Sequence, residues 1–341
     1  MPYGSILRRA LDITWRHKIL WIFGIVLAVL GGSAGNAWSG QSGAQFSGDR
    51  STWEDLGRRL PLGRIGDLNW DAIIPVIVGV GLLALFVGLV FLIVGLIARY
   101  TAYGALIHGV DEAERTGDTT FNSALRAGWG RFLHLLAIDL LLGIIMFAFV
   151  LALVVVILIG LALVIGPAVA LGTGGGEAAV AAGIVWGVIT FLIWLAVVIL
   201  LTAAVSAAFT VLREYALRFS VLEGHGIFQS IGSAWRLAIG HLGPTLLMWL
   251  ILTLVGLAVG LVLIPVALVG IGVAASVLAL AYAVTESWIL LAVLAIPLLL
   301  ILGAIVTIGS GIYQTFVSAV WTLTFRELRG REAPLVTGPE V

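Results

Sequence analysis

Cysteine is absent from the 341-residue chain, which excludes disulfides, thiolate metal sites and cysteine nucleophiles and leaves the redox compartment open. Charge is scarce as well. Only 11% of residues are charged against 61% hydrophobic, far from the composition of soluble domains. Formal net charge is zero, so no nucleic-acid or acidic partner is implied. Lysine occurs once, at Lys18, beside 17 arginines, a bias that reads as base composition rather than function.

Catalytic signatures are missing too. There is no Gly-x-x-x-x-Gly-Lys-Ser/Thr loop to cradle a phosphate and no His-Glu-x-x-His pair. One string, Gly31 to Gly35, matches Gly-x-Ser-x-Gly, but a nucleophile elbow needs a strand before it and an apolar helix stands there instead. His108, Asp111 and Glu112 have the i, i+3, i+4 spacing of a helical metal site, with no second ligand set to complete it. No enzyme activity, cofactor or metal is expected.

What the chain does have is long runs without charge: Ala72 to Ala98, Leu140 to Gly176, Ala178 to Leu212, Leu242 to Thr285 and Ser287 to Phe325. About 20 apolar residues cross a bilayer as a helix. None of the runs alternates with the period of two that a barrel strand requires, so helices must satisfy the backbone in lipid. A further apolar run, Ile19 to Leu30, follows Arg8, Arg9, Arg16 and Lys18 and precedes Ser33 to Ala37, in imitation of a cleavable signal. The basic segment before it, however, has counterparts at Phe121–Leu133 and Ile227–Gly240. It therefore reads as part of the fold, and the run as a transmembrane helix.

Those counterparts belong to a unit written three times. Trp15, Trp129 and Trp235 mark three amphipathic stretches, and Glu114/Gly117, Glu223/Gly226 and Glu327/Gly330 mark three Glu-x-x-Gly ends. The expected division is 1–117 with a polar loop at 33–71, then 118–226, then 227–330, then a tail 331–341. A repeated period signals duplicated architecture. Each unit crosses the membrane an even number of times. The fold expected is an all-α membrane protein of six transmembrane helices in three parallel two-helix repeats, with a pseudo-threefold axis along the membrane normal. Each repeat is preceded by an interfacial amphipathic helix.

Fourteen of the 18 basic residues cluster at the N-terminus, at 99–131, at 213–236 and from Arg326 onward. The positive-inside bias places both termini and these connections in the cytoplasm. The membrane expected is a bacterial cytoplasmic (inner) membrane. Two runs are longer than one span and contain Pro265 or Gly166-Pro167. Segments 160–182 and 265–286 read either as re-entrant caps or as kinked continuations of long helices. Gly81, Gly88, Gly95, Ala102 and Gly109 recur every seven residues as a strip for close helix packing, and Gly183/Gly187 and Gly256/Gly260 have the same meaning.

Two groups of residues are candidate sites. The first is a structural collar of Glu114, Glu223 and Glu327 with Trp15, Trp129, Trp235, Arg16, Arg131 and Arg236, in which ion pairs clamp one repeat to the next. The second is an intramembrane polar site at Asp139 and His134, with Asp139 paired to Arg131 or water. Basic amphipathic helices with boundary tryptophans imply membrane lipids as partners, with a protein partner or a homo-oligomer as a further option.

At the second junction, the string Leu217-Arg218-Phe219-Ser220-Val221-Leu222-Glu223-Gly224, followed by Ser230 to Arg236, resembles uncharacterised bacterial six-span proteins. These are related to the membrane domain that precedes some glycerophosphodiester phosphodiesterases. The resemblance implies a polytopic domain without the phosphodiesterase barrel, so no catalytic residue carries over. Mitochondrial carriers share the plan of three two-span repeats but place the amphipathic helix inside each hairpin, which this chain does not.

Two functions remain: a non-enzymatic scaffold, lipid-organising protein or assembly subunit, and a transporter or lipid-handling protein with a central cavity. The polar inventory of the spans is thin: Asp139, Thr253, Thr190, Thr202, Ser206, Thr210, Thr307, Ser310, Tyr313 and Gln314. That favours the first, and the shape of the centre discriminates between them.

Overall fold

The computed structural model describes residues 2–32, 70–172, 176–285 and 288–332. The polar loop 33–71, save its last two residues, and the tail beyond Glu332 lie outside the described residues. Among those described there is no strand, and the helices run α1 Tyr3–Arg16, α2 Ile19–Leu27, α3 Trp70–Thr116, α4 Phe121–Gly172, α5 Glu177–Leu222, α6 Ile227–Gly240, α7 Leu242–Thr285 and α8 Trp288–Glu332. A π-helical turn, Ala28–Gly32, extends α2. Five helices are long and apolar enough to cross a membrane, and the bent pair α1–α2 makes a sixth candidate. The chain is therefore all-helical and of multi-pass membrane character.

The first and third amphipathic stretches are separate helices; the second is not. α1 turns into the next helix through 101°. His17 holds that bend, with its ring between the Ile13 carbonyl (3.3 Å) and the Gly117 carbonyl at the end of α3 (3.2 Å). α6 stops at Gly240, and Pro244 follows one turn later, where it can offer no N–H to the Gly240 carbonyl. Phe121–Leu133 instead forms the first turns of α4 without a break, because no glycine–proline pair or pinned histidine interrupts it there.

α1 buries Ile6, Ala10 and Ile13, while Leu11 and Trp15 stay exposed. α6 buries Ser230, Ala234 and Leu237 and exposes Trp235. In both helices the tryptophan is left outside the protein core. Trp15, Trp129 and Trp235 are 55%, 59% and 54% exposed, so none of the three serves as a core anchor.

Segments 160–172 and 265–285 continue α4 and α7 as helix, which replaces the re-entrant reading. α7 runs through Pro265 and α8 through Pro297. Each proline orphans one carbonyl, but ending a helix among apolar residues would orphan four at each end, so the helix continues. At 52 residues α4 is about 78 Å long, well over twice the ~30 Å hydrocarbon layer.

The Glu-x-x-Gly ends are not structurally equivalent. Gly117 ends α3 at φ 79°, but α5 ends at Gly224, φ 71°, where the His225 N–H reaches back to the Phe219 carbonyl. Gly226 instead starts α6, and Gly330 lies within α8.

Packing concentrates at the end of the bundle that carries the basic residues. α3, α5 and α8 touch one another there, α2 sits between α8 and α3, α4 between α3 and α5, and α7 against α8 and α5. Two crossings bring backbones together. At α3–α4, Gly104 faces Gly128, and a Cβ on Gly128 would overlap the Thr101 carbonyl. At α2–α8, a Cβ on Gly24 would overlap the Gly311 carbonyl.

Of the expected small-residue strip, Ala102 is buried and Gly109 meets Leu20, whereas Gly81 and Gly88 face open space. Towards the other end the helices stand as hairpins with apolar outer faces. α4 packs on α5 where Gly160 meets Trp194, and α7 packs on α8 where Gly270 meets Leu302.

Candidate functional site

A charged network joins four helices at the hub of the packed region. On α5, Arg213 grips Asp139 of α4 through two parallel bonds, Nε to Oδ1 and Nη2 to Oδ2, both 2.7 Å. That fork-to-fork geometry gives the strongest kind of ion pair. Tyr100 of α3 donates to the same carboxylate at 3.0 Å.

On its other side Arg213 reaches Tyr103 Oη at 3.1 Å and Glu214 Oε1 at 3.3 Å, and its guanidinium lies over the Tyr103 ring. Tyr103 in turn donates to Glu214 Oε1 at 2.7 Å. Glu214 Oε2 accepts from Arg218 at 2.6 Å, and Arg218 also donates to the Ser318 carbonyl and to Thr322 Oγ1 of α8. Arg218 is 0% exposed. Two acids and two arginines balance, and nearly every donor of the buried guanidinium is used, as burial of a charge requires.

Beside this network lies an open cavity of about 490 Å³, lined by residues of α2, α3, α5, α7 and α8. Its polar lining is Arg99, Arg213, Glu214, Tyr103, Thr210, Tyr313 and Gln314, with Thr253 on the α7 side, and the Glu214 carboxylate is balanced by Arg218. Arg213 is neutralised by Asp139. Arg99 lies against the Tyr100 ring, 5.7 Å from guanidinium carbon to centroid, and no acid pairs with it among the described residues. The lining thus carries one unbalanced positive charge.

The expected sites divide accordingly. Asp139 is in the network, but its partner is Arg213. Arg131 instead donates to the Gly224 carbonyl at 3.4 Å, across the second junction. His134, on α4 five residues before Asp139, takes no part. Of the polar inventory, Thr210, Thr253, Tyr313 and Gln314 line the cavity. Arg99, Arg213, Glu214 and Arg218 were assigned by sequence to a connecting segment and were missed. The signal available was the spacing Glu214-x-x-x-Arg218 beside Arg213, which puts an acid and a base on one helix face.

The collar glutamates each do something different. Glu223 receives a two-bond grip from Arg329, at 2.7 and 2.8 Å, linking α5 to α8. Glu114 pairs with Arg9 at 2.8 Å, within its own repeat rather than with the next. Glu327 shares a polar cavity with Arg9, Glu114, Arg115 and Arg326. Arg16 lies 4.0 Å from Asp12 on α1, and Arg236 is exposed on α6. Asp111 pairs with Arg326, and Glu112 accepts from Thr119 and Ser123. Among the described residues, no three metal-ligating side chains gather.

Glu223 and Arg329 have side chains 24% and 40% exposed, so their pair is screened by water. Glu223→Gln is expected to cost about 1 kcal/mol or less. A fall of more than a few degrees in the melting temperature in detergent would contradict that.

A family model described as a family of unknown function (DUF7544) matches residues 13–327. The chain belongs to the DUF7544 family. Among curated proteins and among solved structures, nothing matches it. The DUF7544 match contains the whole Asp139–Arg213–Glu214–Arg218 network and the cavity beside it. It leaves out Arg9 and Arg329, which complete two of the collar pairs. Nothing in the DUF7544 match links the chain to the glycerophosphodiester phosphodiesterase membrane domain that its second junction resembles.

Proposed function

We propose that this protein is a non-enzymatic membrane protein of three parallel two-helix repeats that binds the headgroup of an anionic amphiphile in its central cavity. The repeats are α1–α3, α4–α5 and α6–α8, and their common axis passes through the cavity. The mutual contacts of α3, α5 and α8, each the closing helix of its repeat, support that arrangement. Both termini lie on the cytoplasmic side, with the basic end of the bundle.

The observation that carries the reading is the lining of the cavity. A packed axis would favour a scaffold; here hydroxyls, an amide and the Arg218-paired Glu214 carboxylate surround two guanidiniums, of which Arg99 has no acidic partner among the described residues. Guanidinium is the group suited to bidentate capture of phosphate or carboxylate. The apolar surfaces of α7 and α8 continue beyond the cavity, offering a path for an alkyl chain. An anionic headgroup with an apolar tail satisfies both features. A small free anion satisfies only the first.

Thermal unfolding in a nonionic detergent tests this. Dodecyl phosphate is expected to stabilise the protein, while dodecyl trimethylammonium does not. Arg99→Gln and Thr253→Trp should each abolish that stabilisation. Equal stabilisation of wild type and both variants would end the proposal.

A further inference from the structure

We propose that the groove between α2, α3 and the start of α4 binds one anionic glycerophospholipid of the surrounding bilayer. Arg126 holds its phosphate, and one acyl chain lies along Val26 and Val94. The groove has a volume of about 700 Å³ and shares no lining residue with the central cavity. Its polarity is graded. Val26, Val94 and Ile97 line one end, and Asn122, Arg126 and Trp129 form the other. Because α4 runs antiparallel to α3, with Gly128 at Thr101 and Ala124 near Gly109, the polar residues all fall at the basic end of the trough.

Two further observations point to a ligand. Arg126 is exposed at the rim and has neither an ion-pair nor a hydrogen-bond partner among the described residues. Thr101 lines the groove, is 4% exposed, and its hydroxyl has no partner. A helical threonine normally returns its hydroxyl to the carbonyl four residues back, as Thr202, Thr210, Thr253, Thr315, Thr322 and Thr324 do. Thr101 does not, so a buried donor is left for an acceptor such as an ester carbonyl. Gly128, two residues past Arg126, abuts the Thr101 carbonyl, which keeps guanidinium and hydroxyl at neighbouring depths.

An apolar trough ending in a cation, a tryptophan and a free donor matches a phospholipid in sequence: chain, ester, phosphate. A transmembrane helix from a second copy would fill the trough but leave Arg126 against apolar surface without a counter-charge.

Native mass spectrometry of the purified protein, with dioleoylphosphatidylglycerol or dioleoylphosphatidylcholine added to the detergent, is the test. Wild type is expected to hold one phosphatidylglycerol more firmly than phosphatidylcholine. Arg126→Gln should weaken phosphatidylglycerol binding roughly tenfold, the loss of one charge-assisted bond, and Arg126→Lys should keep most of it. Filling the trough with Ala98→Trp or Val94→Trp should remove both lipids. Each comparison is repeated in the Arg99→Gln background, which empties the central site, so that the phosphatidylglycerol counted is the one in the groove and the two proposals fail separately. Undiminished phosphatidylglycerol binding by Arg126→Gln would overturn the proposal, as would both filling variants binding like wild type. A dimer that Val94→Trp dissolves and Arg126→Gln spares would also overturn it, and would assign the groove to a second copy of the chain.

Discussion

Replacing Glu214 by glutamine is expected to be among the most damaging single changes in the protein, lowering stability by about 3–5 kcal/mol, the cost of stranding a buried charge. Arg218 is fully buried, and the Glu214 carboxylate, 2.6 Å away, is its only counter-charge among the described residues. The Ser318 carbonyl and Thr322 hydroxyl would still accept hydrogen bonds but could not balance the charge. The loss should appear as a large fall in melting temperature and in monodisperse yield.

The double variant Glu214→Gln/Arg218→Met discriminates cause. With no charge left to strand, it should be more stable than Glu214→Gln alone, since neutral packing often replaces a buried pair at little cost. A double variant as unstable as the single one would mean that packing around α5, not charge, dominates.

The second large effect is expected at the α3–α4 crossing. A side chain at position 128 points into the α3 backbone, where a Cβ would sit 2.7 Å from the Ala105 nitrogen and overlap the Thr101 carbonyl. Unlike the tip of a flexible side chain, that backbone cannot give way without moving the helix. Gly128→Leu should therefore exceed the usual overpacking cost of about 1–3 kcal/mol and prevent recovery of a monodisperse protein. Gly130→Ala, two residues on and facing open space, is the control, and should be neutral or stabilising by up to about 1 kcal/mol because alanine favours helix. If Gly128→Leu purified and melted like Gly130→Ala, the close crossing would be refuted.

The contrast between these two glycines shows how much the sequence reveals. The heptad strip of α3 was visible because it repeats, yet its Gly81 and Gly88 meet open space and only the stretch from Gly95 onward meets protein. Gly128 and Gly24 make the closest approaches to a neighbouring backbone and belong to no long pattern. What identifies them is which helix lies opposite, and that is a tertiary fact.

Long apolar runs announced helices because lipid leaves the backbone no alternative. They did not announce that α4 and α7 would continue past Pro167 and Pro265, because proline's local cost competes with the larger cost of ending a helix in apolar surroundings. The polar site was half legible. Asp139 stood out as a lone acid in an apolar run, but Arg213 and Arg218 looked like members of a basic connection. A positive-inside pattern cannot distinguish an arginine at the headgroups from one turned inward onto a carboxylate.

The central claim is that an anionic headgroup occupies the cavity beside Arg99. Photolabelling tests it most directly, using an alkyl phosphate that carries a diazirine next to its phosphate, with the modified residues mapped by mass spectrometry. The account predicts label concentrated on the cavity wall, at Leu27, Thr253, Tyr313 and Val317, and lost in Arg99→Gln. Label spread evenly over the apolar faces of α3, α5 and α7, and unchanged by Arg99→Gln, would contradict it.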